Sequence, residues 1–346
     1  MKYPLISIAI ATFNSEQTLR TTLESIREQT YPKNKVEILV IDGGSVDGTV
    51  SIAKRFKCKV INNPKTELIF AKHIGFFKAR GKYLMFLDSD EVLENPDSLK
   101  IKYSSFQKDQ RIKAVMISGY KAPQDYSPIN HYIDEFGDPF SFFIYQESKG
   151  EKLLLRNWLK KYKKVYEDRE CAIFDFHNSH PLPIIELWAG GCMIDLEYAK
   201  GAFPQINKQS GLIAHLFYLL NKQNCLLAIT KKDPTIHYSS KNLSKYMKKI
   251  DSRIKNNIYQ TEMGDGGFLG RENFQPSWFR LKKYLFPFYA FSIILPTIDA
   301  IDLAITRQKL IYLMHLPLCI YTALLIVYHL VLKTLGIHPR IKTYGQ

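Results

Sequence analysis

Three carboxylates come directly after an apolar run in the first third of the chain. The segment Tyr83–Glu91 reads YLMFLDSDE, so Asp88, Asp90 and Glu91 stand together at its end. Like charges this close repel one another and raise each other's pKa, so we expect a positive partner. Alternating carboxylates on a turn can bind Mg²⁺ or Mn²⁺ and leave coordination positions for phosphate oxygens. Most such triplets are solvated turns, but the buried strand before this one favours a metal site at Asp88 and Asp90 for a cation that carries a diphosphate.

A fourth carboxylate, Asp42, ends the apolar run 36–42 and leads into a Gly43-Gly44 turn. Glycine lets the backbone approach a ligand closely, and Ser45 and Asp47 can cap the helix that follows. The same residues also suit a well-capped strand-to-helix turn with no ligand. Neither the G-x-G-x-x-G spacing nor G-K-[ST] is present, which argues against a dinucleotide fold and a P-loop.

Strands and helices alternate through the first 120 residues, and this order predicts where the carboxylates lie. The predicted strands are residues 5–12, 36–42, 58–62, 82–88 and 112–118, with helices between them. Asn14 with Gln17 predicts a capping box for the first helix. Buried strands joined by helices predict an α/β fold with a doubly wound, mostly parallel sheet and helices on both faces. Ligands bind at the carboxyl ends of such strands, where both Asp42 and Asp88 stand.

The regular pattern fades in residues 121–183, an insertion that we expect on the acceptor side of the site. It holds one predicted amphipathic helix, 151–167, with a basic face and an apolar, aromatic face. Such a helix suits a membrane surface, although packing on its own domain explains it equally well. A strand at 186–195 and a helix at 210–222 follow, and a basic helix is predicted at 242–257.

The C-terminal part is more apolar than the rest. Leu310–Leu332 is 23 residues without a formal charge, which is long enough to span a bilayer. Residues 284–298 are also apolar but contain two prolines, so we expect them in the membrane interface or in a shallow hairpin. The alternative is two buried core helices. These patterns predict a catalytic domain at 1–230, a basic helical connector at 231–283 and membrane-associating helices with a tail at 284–346.

The net charge and the cysteine content of the chain limit the classes of binding partner and cellular compartment that we expect. The formal net charge is +15, which suits an anionic membrane or a phosphorylated ligand. The basic segments show no nucleic-acid motif, so no nucleic-acid partner is expected. Five scattered cysteines, none spaced as C-x-x-C, predict a reducing compartment and argue against a disulfide framework.

Four segments in this order resemble the inverting, family 2 type of glycosyltransferase with the nucleotide-sugar-binding GT-A fold. They are SIAIATFN, VIDGGSVDGT, AKHIGFFKARGKYLMFLDSDE and WAGGCMI. The resemblance covers residues 4–120 well and 186–230 loosely. It implies a nucleotide diphospho-sugar donor, most often of the UDP type, and a divalent cation, Mg²⁺ or Mn²⁺, held by Asp88 and Asp90. The donor-binding residues that it implies are Thr12, Phe13, Asp42, Lys72, Asp88, Ser89, Gly190 and Gly191.

One departure from the family concerns the general base. The family usually has a Glu-Asp pair after the Gly-Gly strand, whereas here residues 204–219 contain no carboxylate. Another residue could serve, the weak candidates being Asp195, Glu186 and His180. Alternatively the acceptor is a phosphate, which is already ionised and needs no base, or the protein is a catalytically degenerate membrane scaffold.

The sequence therefore predicts sugar transfer to a lipid-linked acceptor such as polyprenyl phosphate, at the cytoplasmic face of a membrane. The enzymatic alternative is transfer to a glycan hydroxyl in polysaccharide or glycolipid assembly.

Overall fold

The computed structural model describes residues 3–260 and 268–339. Parts of the predicted connector and tail, 261–267 and 340–346, lie outside these residues. The strands of the described chain are β1 (Ile6–Thr12), β2 (Val36–Asp42), β3 (Lys59–Asn62), β4 (Tyr83–Asp88), β5 (Glu91–Leu93), β6 (Ile112–Met116), β7 (Tyr120–Lys121), β8 (Lys163–Glu167), β9 (Cys171–Asp175), β10 (Cys192–Asp195), β11 (Leu226–Thr230) and β12 (Thr235–His237).

Helices connect most of these strands and make up the C-terminal part. They are α1 (Leu19–Arg27), α2 (Thr49–Arg55), α3 (Leu68–Lys78), α4 (Ser98–Phe106), α5 (Ile129–Phe136), α6 (Pro139–Tyr145), α7 (Leu154–Lys161), α8 (Leu196–Ala202), α9 (Leu216–Lys222), α10 (Leu243–Tyr259), α11 (Phe268–Glu272), α12 (Ser277–Leu281), α13 (Phe286–Phe291), α14 (Ile294–Arg307) and α15 (His315–Thr334).

The large sheet has the order β3-β2-β1-β4-β10-β6-β11-β9-β8. Strands β3, β2, β1 and β4 are parallel, while β10 runs antiparallel to both β4 and β6. The predicted α/β fold with a mostly parallel sheet is confirmed. In this register Thr12 lies opposite Asp42 and Ala11 opposite Asp88, so the carboxyl ends of three strands meet at one edge.

Side chains alternate between two buried layers, one on each face of the sheet. Ile6, Ile8 and Ile10 pack towards the face that carries α1, whereas Ala9 and Ala11 pack towards the face that carries α3. These alanines are small because α3 approaches β1 closely. A Cβ atom added at Gly75 would lie 2.8 Å from the Cβ of Ala9.

A second, three-stranded sheet, in the order β5-β12-β7, lies beside the edge where β1, β2 and β4 end. Strand β5 begins at Glu91, immediately after the turn that holds Asp88 and Asp90. The antiparallel register puts His237 of β12 opposite Glu91. This small sheet therefore brings a residue from far along the chain to the carboxylate turn.

The predicted strand 186–195 is confined to β10, Cys192–Asp195, and residues 186–191 form no strand. Two other local predictions are wrong. Asn14 does not cap the first helix, whose N-cap is Thr18, because Asn14 adopts a left-handed conformation and its side chain accepts a hydrogen bond from Val46 N. The predicted helix 151–167 is instead a short helix, α7, followed by strand β8. The β-branched and aromatic residues at its end favour a strand, and β8 finds a partner in β9.

The C-terminal helices pack on α5 and α10. Their buried side chains, among them Leu303, Tyr312 and Leu318, form one apolar cluster with Tyr132 and Tyr246. Leu310–Thr334 is long and apolar enough to cross a membrane. A second pair of segments, Ser277–Phe291 and Ile294–Arg307, passes the same criteria together but is bent by 87°.

Candidate active site

Asp42 is fixed at the corner where β1 and β2 end. Gly44 N and Ser45 N donate hydrogen bonds to its Oδ2 at 3.0 and 2.8 Å. Thr12 Oγ1 donates to its Oδ1 at 3.0 Å, and Ser45 Oγ donates to the same atom at 2.6 Å. Gly44 has a φ of +89°, which only glycine adopts easily, and it allows the chain to fold back over the carboxylate. The predicted donor residues Thr12 and Asp42 are thus in contact, with Phe13 half-buried beside them.

Lys72 is the positive partner of Asp88. It projects from α3, is only 1% exposed, and its ammonium group forms an ion pair with the Asp88 carboxylate. The same ammonium donates to Leu87 O at 2.8 Å. The family resemblance implies that Lys72 lies near the nucleotide. The structure shows it beneath the carboxylate turn, where its charge offsets that of Asp88.

Ser89 ties the carboxylate turn to the first helix. Its hydroxyl donates to Ser15 Oγ at 2.8 Å, and its carbonyl accepts a hydrogen bond from Thr22 Oγ1 at 3.0 Å. Both hydrogen bonds anchor the turn at the residue directly before Asp90.

Glu91 points into the protein, unlike the other two carboxylates of the turn. It is 1% exposed and accepts hydrogen bonds from Asp88 N at 2.7 Å and from Gly190 N at 2.8 Å. Tyr120 OH donates to it at 3.3 Å. Burial, and next the charge of Asp88, raise the pKa of Glu91 to about 7. The third carboxylate therefore holds the site together from behind and does not face a ligand.

The Gly190-Gly191 turn completes this wall. Both glycines have positive φ, +72° and +78°. A Cβ at Gly190 would lie 2.7 Å from Tyr120 OH, and one at Gly191 would lie 2.9 Å from Leu93 Cδ2. Glycine is required at both positions, since no side chain fits, and the backbone of Gly190 stands directly behind the carboxylate turn.

His237 is a site residue that the sequence did not predict. Its Nε2 lies 3.9 Å from Asp90 Oδ2, and its Nδ1 lies 2.8 Å from Asp134 Oδ1. Asn130 Nδ2 donates to both Asp134 Oδ2 and His237 O, at 2.9 and 2.5 Å. Burial lowers the pKa of His237, but the hydrogen bond with Asp134 and the nearby carboxylates outweigh it and raise that pKa to about 9. The only available signal was a short strand, TIH, whose register with Glu91 depends on the tertiary fold.

The residues at this edge fit a divalent cation that arrives with phosphate ligands. Among the described residues no three His, Cys, Asp or Glu side chains form a complete metal centre. Magnesium commonly uses one or two carboxylates and takes its other ligands from substrate phosphates and water. Asp88 and Asp90 supply two carboxylates at the edge, so the donor set suits such partial coordination.

The weak candidates for a general base stand apart from one another. Asp195 lies opposite Tyr83, at the other end of β4 from Asp88, where it caps α8 and pairs with Lys113 Nζ at 3.1 Å. His180 is exposed in the loop between β9 and β10. The structure thus brings neither residue to the carboxylate turn.

Glu186 lies closer to the site. It lines a small internal cavity of about 30 Å³ together with Tyr120, whose hydroxyl reaches Glu91. Its carboxylate pairs with Lys149 Nζ at 2.6 Å and with Arg271 Nη1 at 3.1 Å. Burial opposes ionisation, but these two cations outweigh it and hold the pKa of Glu186 well below its usual range. A carboxylate this acidic is a weak proton acceptor.

Comparison with known proteins finds similarity to glycosyltransferases. Residues 7–172 match the family model of glycosyl transferase family 2. Glycosyltransferase AglE of Haloferax volcanii is 34% identical over 93 residues, which are 25% of this chain and 31% of the relative. A dolichyl N-acetyl-alpha-D-glucosaminyl phosphate 3-beta-D-2,3-diacetamido-2,3-dideoxy-beta-D-glucuronosyltransferase of Methanococcus voltae is 32% identical over 110 residues, 30% of this chain and 34% of the relative.

A solved structure matches over nearly the whole chain. It is the mannosyltransferase PcManGT from Pyrobaculum calidifontis in complex with GDP-Man and Mn²⁺, with a TM-score of 0.52 and 14% identity over 95% of this chain and 88% of that one. This likeness shows a GT-A type fold. The match to glycosyl transferase family 2 covers residues 7–172, slightly under half of the chain, and the chain spans about a third of the length of the two curated relatives.

Proposed function

We propose that the protein transfers a sugar, with inversion, from a nucleotide diphospho-sugar to a lipid-linked phosphate such as polyprenyl phosphate. The observation that carries the proposal is the convergence of Asp42, Asp88 and Asp90 on one edge of the sheet. The two nearby carboxylates of the described residues, Glu91 and Asp134, are engaged with Gly190 N and with His237. The reaction takes place at the cytoplasmic face of a membrane.

The donor base binds at the Asp42 corner. Asp42 accepts from the base, most often uracil, while Thr12 and Phe13 border it. Because Thr12 and the Ser45 turn hold the Asp42 carboxylate in place, little ordering is needed when the base arrives.

The diphosphate binds at the carboxylate turn with Mg²⁺ or Mn²⁺. Asp88 and Asp90 hold the cation, which when bound supplies positive charge to the departing diphosphate. Lys72 orients Asp88 from below through their ion pair. Asp134 fixes the orientation of His237, and the imidazolium of His237 adds a second positive charge beside Asp90. Gly190 and Gly191 form the floor under the sugar.

The acceptor is a phosphate because the residues that the structure describes offer no suitable base for a hydroxyl. Asp195 lies at the other end of β4 from Asp88. Two cations lower the pKa of Glu186, so its carboxylate accepts a proton only weakly. A phosphate monoester with a second pKa near 6 is a ready nucleophile at pH 7. Lys249 of α10 is suited to meet it, since Lys249 Nζ donates to Ser239 O at 2.5 Å and Tyr238, the residue before Ser239, donates from its backbone to Asp90 O.

Transfer to a glycan hydroxyl is the second candidate. The observation in its favour is Glu186, which reaches the site through Tyr120 across the small cavity. For this reaction Glu186 has to give up at least one of its cations when the acceptor binds.

A donor and acceptor screen tests the proposal. Full-length protein is incubated with nucleotide diphospho-sugars, a divalent cation and either polyprenyl phosphate or a glycan, and the product is identified by its mass. We expect a polyprenyl-phosphate sugar product and a rate that rises through the acceptor's own pKa. Glu186→Gln and Asp195→Asn should each leave turnover within about tenfold of the parent, whereas loss of a general base costs ~10²–10⁴-fold. A collapse in Glu186→Gln alone, with donor binding preserved, favours the glycan reaction.

A further inference from the structure

The helices after α11 expose a large apolar surface. We call it the C-terminal apolar surface and define it as the exposed apolar side chains between Trp278 and Leu335. The most exposed of them include Phe288 (75%), Ile294 (69%), Ile305 (70%) and Leu310 (82%). On α14 the exposed isoleucines form one stripe: Ile294, Ile298, Ile301 and Ile305. Soluble monomers rarely expose contiguous apolar patches of more than a few hundred Å², so something covers this surface.

We propose that the C-terminal apolar surface docks in the plane of an anionic lipid bilayer, with α13, α14 and α15 lying along the interface and none of them crossing it. The inference rests on the proposed function only for the choice of a membrane as partner. It states how the chain contacts that membrane. The apolar run Leu310–Leu332 on its own suggests a helix that spans the bilayer, whereas in-plane docking does not.

α15 cannot cross the bilayer in this arrangement because α10 lies along it. Tyr321 OH donates to Met247 O at 3.4 Å, and His329 Nε2 lies 3.3 Å from Asp251 Oδ1. Further on, Lys333 Nζ donates to Ile258 O at 2.6 Å. The twelve steps from residue 321 to 333 span about 18 Å at 1.5 Å per residue, more than half of a hydrocarbon core of ~30 Å.

Immersing that length of α15 would carry α10 into the hydrocarbon. α10 exposes Lys245, Lys248 and Arg253, and charged side chains at the centre of a bilayer are costly. One face of α15 is therefore covered by α10, whose charged side chains have to stay in water or among the lipid head groups. The opposite face, with Leu324, Val327 and Val331, is the one left for lipid.

The geometry of α13 and α14 also suits a position in the membrane interface. α13 and α14 meet at a bend of 87°, so they do not form one straight span. Hydrogen bonds hold the bend, since Tyr289 OH on α13 donates to Asp299 Oδ2 on α14 at 2.5 Å and lies 2.8 Å from His315 Nε2. Each arm is shorter than the roughly 20 residues that a spanning helix needs.

Charges and aromatic rings select an anionic lipid surface over a second copy of the chain. Exposed cations flank the apolar surface at Arg280, Lys309 and Lys333, and Asp302 is an exposed carboxylate on α14. A second copy would bring the same cations against each other, whereas anionic head groups neutralise them. The exposed rings of Trp278, Tyr284 and Tyr328 are typical of the boundary between lipid and water.

Vesicle binding and tag topology test the inference. Purified full-length protein is floated with vesicles of phosphatidylcholine alone or mixed with phosphatidylglycerol, without any donor. We expect flotation with the anionic vesicles and a loss of about tenfold or more in Phe288→Glu, since one large apolar side chain no longer enters the lipid. Ile305→Glu is a second, independent variant. The matched control is Val165→Glu on the outer strand β8, a site also exposed (43%), which should float like the parent.

Topology is read in sealed membrane vesicles from cells that express the chain with a tag at each end. In-plane docking predicts that added protease removes both tags from the same side. Protection of the C-terminal tag while the N-terminal tag is digested would show a crossing helix and overturn the inference. A stable dimer in solution that floats with neither kind of vesicle would also overturn the inference. Donor binding, measured separately on Phe288→Glu, stays at the parent value if only docking is affected, which distinguishes this failure from a failure of the proposed function.

Discussion

Glu91 and His237 face each other across two strands and have opposite pKa shifts. Burial and Asp88 raise the pKa of Glu91 to about 7, while the hydrogen bond with Asp134 helps to raise that of His237 to about 9. His237 therefore stays protonated to a higher pH than an ordinary histidine, and Glu91 stays protonated to a higher pH than an ordinary carboxylic acid. The carboxylate turn thus has one internal acid that titrates near physiological pH and one stable positive charge.

Glu91→Gln should stabilise the cation-free protein at high pH. A raised folded-state pKa means that the folded state binds more protons than the unfolded state between about pH 4.5 and 7, so the contribution of Glu91 to stability falls as the pH rises through that window. The amide removes this loss and can still accept from Asp88 N and Gly190 N. We expect a gain of about 1–3 kcal/mol in unfolding free energy at pH 8 and none at pH 4. Urea denaturation in a chelating buffer measures both, and an equal gain at the two pH values would contradict the titration.

Asp90→Asn should weaken metal-dependent donor binding without unfolding the domain. Among the described residues Asp90 has no close lysine partner such as the one beneath Asp88, and His237 Nε2 stays 3.9 Å from its Oδ2, so the Asp90 carboxylate is available to a metal. We expect the affinity for a nucleotide diphospho-sugar with Mn²⁺ to fall at least about tenfold, the scale of one lost charge-assisted contact. Titration calorimetry with and without Mn²⁺ measures this. The matched control is Glu197→Gln, an exposed carboxylate on α8 that should bind like the parent. Unchanged metal dependence in Asp90→Asn would remove Asp90 from the site.

At the scale of elements, α5 connects the site to the C-terminal helices. Its Asp134 contacts His237. The next residue, Glu135, pairs with Arg307 Nε at 2.7 Å and also accepts from Tyr312 OH. Tyr132, on the same helix, hydrogen-bonds His315 Nδ1 at 2.7 Å. An eight-residue helix therefore contacts both the carboxylate turn and the C-terminal helices.

Glu135→Gln should loosen this connection. The Glu135 carboxylate is 7% exposed, and its loss leaves the partly exposed Arg307 without its ion-pair partner. We therefore expect a loss of about 1–3 kcal/mol in unfolding free energy. Glu94→Gln breaks an ion pair with Lys121 that is 36% exposed on both sides and should cost less than ~0.5 kcal/mol. Thermal unfolding and limited proteolysis of the C-terminal helices compare the two variants. Equal effects would show that α5 is not a special connector.

At the scale of the whole molecule, the C-terminal helices are part of the core as well as an outer surface. They bury Leu303, Tyr312 and Leu318 against side chains of α5 and α10, including Tyr132 and Tyr246. Removing them would expose this cluster to water and release α5 from one side. The same helices therefore both support the site and present the C-terminal apolar surface.

Truncation after Lys283 should for this reason weaken donor binding as well as membrane association. We expect a protein that is less stable and prone to aggregate, because the apolar sides of α5 and α10 become exposed. Phe288→Glu, which changes only the outer surface, should stay folded and bind donor normally. Calorimetry and light scattering on both proteins separate the two roles. A truncated chain with parent-like donor affinity would show that the site is independent of the C-terminal helices.

The sequence by itself determined the alternating β/α order and the edge at which Asp42 and Asp88 meet, because buried strands and their polar ends follow local periodicity. It also determined that Asp88 and Asp90 need a positive partner. Only the tertiary structure decided that Glu91 turns inward, that Lys72 is the buried partner of Asp88, and that His237 arrives 147 positions after Asp90 through the pairing of β12 with β5. Residues 163–167 became a strand because a partner strand was available, and the charge-free run at 310–332 was placed beside a charged helix. Long-range pairing and the surroundings of an apolar helix are not local properties, so no pattern in the sequence could predict them.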